Sequence, residues 1–198
     1  MFTVLFTSIG RRVELVQAFK KSYETIGLKA RILGTDAEPS LAPASCFVDQ
    51  SFTVPKINDK SYIDSLLAIC SKEKVDLLIP LFEPEFLLLD AKRCEFDPLG
   101  TLLLLSKRQV LETCQDKWQT FQLFTCYGIK TPVTWRKEDL PSNITFPVFV
   151  KPQTGMGSRG AQRVDSFAEL EFIWQQHADL LIQDFIPGRE YTLDVLAD

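Results

Sequence analysis

Between Phe146 and Gly160 an apolar run, Phe146-Pro147-Val148-Phe149-Val150, closes on Lys151-Pro152 and gives way to Gly155-Met156-Gly157-Ser158-Arg159-Gly160. β-Branched and aromatic residues favour a strand, and proline ends it. Three glycines and a serine let the backbone approach an anion closely, with its amides turned inward as donors. Lys151 at the strand end and Arg159 within the loop add two positive charges, a composition that suits a polyphosphate. A glycine-rich hairpin without a ligand fits this stretch equally well when it is taken alone. No Gly-Lys-Ser/Thr follows the glycines, so the loop is not a Walker A motif. A return strand follows it, from Ala161 to Val164, where a dinucleotide fingerprint has a helix.

The preceding residues follow a different grammar. Phe2 to Thr7 reads as a buried strand. Val13, Val16, Phe19, Tyr23 and Ile26 then recur at helical spacing, with Gly27 as the stop. Lys29 to Thr35 reads as a second strand, Glu38 to Pro43 as a loop and Ser61 to Ser71 as a helix. Asp76 to Leu81 and Thr101 to Leu105 are further strands. This alternation predicts an α/β domain, a doubly wound parallel sheet with helices on both faces, over residues 1–106.

A second domain, an α+β unit with an antiparallel sheet, is expected over 107–198. It opens with one helical stretch, Gln109 to Tyr127, ended by Gly128 and Pro132. After the glycine loop come an amphipathic helix, Phe167 to His177, with Phe167, Leu170, Phe172, Ile173 and Trp174 as its apolar members, and two strands, Leu180 to Phe185 and Tyr191 to Ala197.

Three segments in order resemble the ATP-grasp superfamily. Phe146 to Gly160 resembles its strand ending in Lys-Pro with the small flap that folds over phosphates. Asp116-Lys117, followed by Gly128-Ile129 and Pro132, resembles the helix that carries a first ATP lysine. Gln183-Asp184-Phe185-Ile186-Pro187-Gly188-Arg189-Glu190 resembles the hinge that holds adenine and ribose. The resemblance implies that Lys117 and Lys151 contact the ATP phosphates under a flap made of Gly155, Met156, Gly157, Ser158, Arg159 and Gly160. It implies backbone contacts to adenine from the carbonyl of Asp184 and the amide of Ile186, within a hinge of Gln183, Asp184, Phe185 and Ile186. Gln183 stands where many members have a carboxylate, and Glu190 would bind the ribose hydroxyls.

The first domain then corresponds to a pre-ATP-grasp domain, and the second to the linker helices and N-terminal ATP-binding subdomain. Over nearly the whole chain the likeness is to short proteins that resemble the carbamoyl-phosphate synthase large subunit. The reaction it implies is ATP-dependent ligation of a small-molecule carboxylate to an amine or ammonia through an acyl phosphate. The cofactors it implies are ATP and Mg2+, and it leaves room for a homodimer. Its magnesium ligands are expected beyond residue 198, no catalytic side chain is assigned, and the 198-residue chain alone is expected to be inactive. A non-catalytic ATP-binding module, or a fragment of a split enzyme, is the alternative.

At the first strand-to-helix turn, Gly10, Arg11 and Arg12 can hold an anionic substrate group at a helix N-terminus. Asp36, Glu83 and Glu85 follow strand ends, where open α/β sheets place ligand contacts. They are substrate candidates, with helix caps or first-turn acids as the alternative.

A net charge of −4 gives no support to nucleic-acid binding. The longest apolar runs, Phe86 to Leu89 and Leu102 to Leu105, are too short to cross a bilayer, and the N-terminus reaches its first basic residue only at Arg11, the reverse of a signal peptide. A cytoplasmic location is the default expectation. Five cysteines without two-residue spacing and a single histidine argue against a zinc site or Cys-His catalysis. Reduced, mostly core cysteines are expected.

Overall fold

The expected strands of the N-terminal half pair in parallel in the computed structural model, which describes residues 1–177 and 179–193. Strands β1 (Phe2–Thr7), β2 (Ala30–Asp36), β3 (Gln50–Thr53), β4 (Leu77–Pro80) and β5 (Leu102–Leu103) form one sheet in the order β3-β2-β1-β4-β5. Helix α1 (Val13–Ile26) and helix α2 (Tyr62–Glu73) connect strands of this sheet.

Alternation along β1 decides which face each helix covers. Val4 and Phe6 pack with Ile9, Val16 and Ile32, whereas Leu5 packs with Tyr62, Leu66, Cys70, Leu78 and Phe96. Successive strand residues point to opposite faces, so β1 is buried on both sides, as a doubly wound sheet requires. Helix α1 stops where expected: Gly27 adopts φ 67° and its amide returns to the carbonyls of Tyr23 and Glu24.

Several connections differ from the sequence reading. Edge strand β3 is short and polar, so it carries no periodic signal. Prolines 39 and 43 each open a 3₁₀ turn within the expected loop. Between β4 and β5 the apolar run at Phe86 becomes helix α3 (Phe86–Asp90), followed by α4 (Arg93–Phe96).

The chain divides into two units, Met1–Leu111 and Glu112 onward. The single helix expected from Gln109 to Tyr127 is two helices, α5 (Arg108–Gln115) and α6 (Lys117–Cys126). Asp116 breaks them. Its backbone is extended (φ −106°, ψ 110°) and its carboxylate accepts from the amides of Trp118 and Gln119, a cap that aspartate favours over continued helix.

Four strands follow as a mixed-order antiparallel sheet, β6-β9-β7-β8, from β6 (Thr134–Trp135), β7 (Val148–Pro152), β8 (Gln162–Val164) and β9 (Leu180–Asp184). Helix α7 (Phe167–Gln176) is capped by Ser166 and packs Leu170 and Ile173 onto Val148, Val150, Val164, Leu180 and Ile182. Phe167 and Phe172, expected on its apolar face, are 50% and 62% exposed. Of the strand expected over 191–197, Tyr191 to Leu193 has no regular structure, and the remainder lies outside the described residues. The cysteine expectation is also corrected. All five are free thiols, but only Cys70 is buried, while Cys46, Cys94, Cys114 and Cys126 are exposed.

Candidate functional site

In the second unit, strand register sets which side chains can meet. β7 and β9 pair Phe149 with Gln183 and Lys151 with Leu181. These four share one face of the sheet, opposite the face that Val148, Val150 and Ile182 give to the α7 core. Lys151 is half-buried at the end of that face. Burial, and then the charge of Lys117, push its ammonium below the usual lysine range.

Lys117 is the first residue of α6, placed by the Asp116 cap. Its amide donates to the carbonyl of Gln153 at 3.0 Å, and its Nζ donates to the carbonyl of Gly155 at 2.8 Å. Asp116 also accepts from the side-chain amide of Gln153 at 2.7 Å. Burial alone would raise the Asp116 carboxyl, but hydrogen bonds from Gln153, Gln119 and Trp118 outweigh it and hold the group below the usual range.

The two lysines border one cleft of about 280 Å³, lined by Phe149, the Gly155–Arg159 stretch and Glu190 as well. Gly155, Gly157 and Ser158 adopt φ of 108°, 65° and 56°, the left-handed region that exposes consecutive amides on one side. Gly160 (φ 72°) lies outside this lining. A Cβ there would sit 3.1 Å from Cγ of Pro152, so it closes the loop against the strand end. Both lysines also border an adjoining hollow of about 360 Å³, with Phe121, Thr131, Pro132 and Gln183.

Gln183 is the hinge residue that reaches this hollow. Its Nε2 donates to Oγ1 of Thr134 at 2.7 Å, and that hydroxyl donates to the carbonyl of Pro132 at 3.0 Å. Asp184, Phe185 and Ile186 line neither space. The Asp184 amide donates to Val133 at 3.0 Å, the Phe185 ring lies under the Arg163 guanidinium at 5.1 Å, and Ile186 is 66% exposed. Sequence reading missed Asp116, Gln153 and Phe149 as parts of the site. The N-cap preference of aspartate before a helix could have found Asp116. Gln153 carries no such signal.

In the first unit, Ser8, Gly10, Arg11, Arg12 and Phe82 line a hollow of about 480 Å³ at the start of α1. Asp36, Glu83 and Glu85, expected beside that turn in a substrate cleft, do not line it. Asp36 accepts from the amides of Gly10 and Glu38 at 3.1 and 3.0 Å, fixing the turn from behind. Glu83 begins a 3₁₀ turn. Glu85 is fully buried and accepts from the hydroxyls of Thr7, at 2.5 Å, and Ser8. Burial raises the Glu85 carboxyl above its ordinary range and, with the neighbouring Glu85 charge, raises the Tyr62 phenol too. Asp36 and Glu85 thus brace the turn through hydrogen bonds from Gly10, Thr7 and Ser8.

Among the described residues no group of three or more His, Cys, Asp or Glu is placed to hold a metal ion, and no helix is long and apolar enough to cross a membrane.

Comparison with known proteins follows the same division. Residues 4–104 match the family model for the PylC-like N-terminal domain, and residues 114–198 match that for the ATP-grasp domain. The chain is 25% identical over 158 residues to the carbamoyl phosphate synthase arginine-specific large chain of Bacillus subtilis, covering 72% of this chain and 15% of that protein. It is 34% identical over 93 residues to the vancomycin/teicoplanin A-type resistance protein VanA of Enterococcus faecium, covering 43% and 27%. The L-amino acid ligase from Bacillus licheniformis shares the fold with a TM-score of 0.65 at 23% identity, over 95% of this chain and 45% of that one. The chain therefore spans well under half the length of the curated relatives it matches.

Proposed function

The chain belongs to the ATP-grasp superfamily, with a PylC-like N-terminal domain leading into the ATP-grasp domain, and from that premise we propose that its second unit binds ATP as part of a carboxylate–amine or carboxylate–ammonia ligase. The observation that carries the reading is the cleft in which two separate ammonium groups and the left-handed glycine loop face the same space. Lys117 and Lys151 neutralise phosphate charge as compact ammonium groups on flexible stems. Amides of Gly155 to Ser158 supply further donors, and the flap of residues 155–160 excludes water from the transferring phosphoryl group.

Adenine is assigned to the hollow bordered by Gln183, and Glu190 to the ribose hydroxyls. The backbone of Asp184 to Ile186, which follows Gln183 in the chain but does not line that hollow, is proposed to meet the adenine edge when nucleotide is bound. Gly10, Arg11 and Arg12 are proposed to hold an anionic group of the substrate at the N-terminus of α1. Within this reading the substrate carboxylate becomes an acyl phosphate, and the incoming nitrogen displaces phosphate to give an amide-type product and ADP, as in a carbamoyl-phosphate synthase-like ligase. Magnesium would neutralise the phosphates during transfer; the described residues offer no cluster to hold it, so no step is assigned through it.

Phosphate release by the full-length protein, measured against a panel of amino acids, bicarbonate and ammonia, tests the reading. The expected result is release that requires a carboxylate and a nitrogen donor and disappears in Lys151→Ala. Release unaltered by Lys151→Ala contradicts it.

A further inference from the structure

Gln153 is fastened through its backbone amide, its backbone carbonyl and its side-chain amide where the flap begins. Its amide donates to the carbonyl of Asp179 at 2.9 Å, and its carbonyl accepts from the amide of Lys117 at 3.0 Å. Its side-chain amide donates to Oδ2 of Asp116 at 2.7 Å. One residue later, from Thr154 to Gly160, every residue is exposed. The change from half-buried to exposed chain falls between residues 153 and 154. Beyond it the loop is held by the Gly155 carbonyl, which accepts from Lys117 Nζ at 2.8 Å, and by the Ser158 carbonyl, which accepts from the Ala161 amide at 3.1 Å.

Asp116 divides its carboxylate between two elements. Oδ1 accepts from the amides of Trp118 and Gln119 at 2.8 and 3.1 Å, capping α6. Oδ2 accepts from Gln153 and, at 3.4 Å, from the Gln119 side chain. The cap sets where α6 starts, and so where Lys117 emerges; the second oxygen ties that start to the strand end two residues past Lys151.

We propose that Asp116 and Gln153 form a clasp that sets the separation of Lys117 from Lys151 and provides the fixed foot on which the flap moves. Asp116 is thus a positioning residue whose Oδ1 serves helix α6 and whose Oδ2 serves the phosphate site. This rests on the nucleotide reading for its consequence, though the fastening itself does not require a nucleotide. The two lysines repel one another in the absence of phosphate, so the spacing of the ammonium groups is not self-maintaining and needs a mechanical tie. A displacement on the order of 1 Å at such a clamp is enough to cost most of its effect on a bound group.

Gln153→Leu and Gln153→Glu test the clasp in the full-length protein. Leucine removes the donor; glutamate keeps the shape and sets carboxylate against carboxylate. Both leave Oδ1 of Asp116 free to cap α6. Two readouts are taken together: the ATP dissociation constant, and the rate of tryptic cleavage after Arg159 without nucleotide. The expected result is affinity weakened roughly tenfold, about 1.4 kcal/mol, with several-fold faster cleavage and a melting temperature close to that of the unaltered protein. Unchanged affinity and cleavage in both variants, while Lys151→Ala still loses ATP, overturns the clasp and spares the nucleotide reading. Faster cleavage in a protein that shows no Lys151-dependent ATP binding supports the fastening and overturns the nucleotide reading.

Discussion

Lys151 concentrates the residue-scale argument. Its ammonium lies below the ordinary lysine range through burial first and the neighbouring Lys117 charge second. A bound polyphosphate favours the charged form and restores it. Binding therefore takes up a proton once pH rises through the lowered value, and affinity falls from there towards the ordinary lysine range. Calorimetric titration in buffers of different ionisation enthalpy should show this uptake at alkaline pH and lose it in Lys151→Met. Glu85 gives a second, independent prediction. Its folded-state value is raised, chiefly by burial, so the folded protein holds its proton more tightly than the unfolded chain. Stability from this group is greatest below the unfolded carboxyl value and declines as pH climbs towards the raised one. Glu85→Gln should flatten the fall in melting temperature over that interval, because the Thr7 and Ser8 hydroxyls can turn to meet an amide. Both lysines and all three flap glycines were visible in the sequence because charge and glycine content mark themselves. Glu85 was visible as an acid at a strand end, but its inward direction was not, since the 3₁₀ turn at Glu83 that rotates it has no periodic pattern.

At the scale of elements, the flap and helix α6 are the parts whose local chemistry can be altered separately. Asp116→Ala removes both the cap and the clasp, whereas Asp116→Asn keeps an acceptor for Trp118 and Gln119. Loss of an N-cap costs about 1 kcal/mol, so Asp116→Ala should lower stability measurably in denaturant titration and Asp116→Asn much less. Gly160→Ala meets two obstacles, a φ of 72° and a Cβ 3.1 Å from Pro152. Gly157→Ala meets only the φ of 65°, with nothing within 4 Å. Gly160→Ala should therefore be the more destabilising, beyond the roughly 1 kcal/mol of the left-handed backbone alone. Strands β1, β2, β4 and β7 and helix α1 were legible because they are strongly apolar or strongly periodic. The break of the long helix at Asp116 was hidden, since the apolar period continues across it and only the capping chemistry of one residue interrupts it.

Across the whole molecule, the two units have separate cores, the parallel sheet sandwiched by two apolar clusters and the antiparallel sheet under α7. Nucleotide linkage stabilises the unit that contains the site, so Mg-ATP should slow hydrogen exchange in the β7–β9 sheet while that of β1 and β2 changes little. The order of three short motifs made the ATP-grasp assignment legible in the second unit, which holds all three, whereas the small-molecule acceptor has no such signature, because the N-terminal hollow is built from a turn of ordinary residues. The central claim, that Lys117, Lys151 and the flap amides converge on one polyphosphate, is tested most directly by amide exchange at residues 155–160 with and without Mg-ATP. The account predicts strong slowing of exchange there in the unaltered protein and none in Lys151→Ala. ATP that binds tightly while exchange across the flap stays unchanged would contradict it.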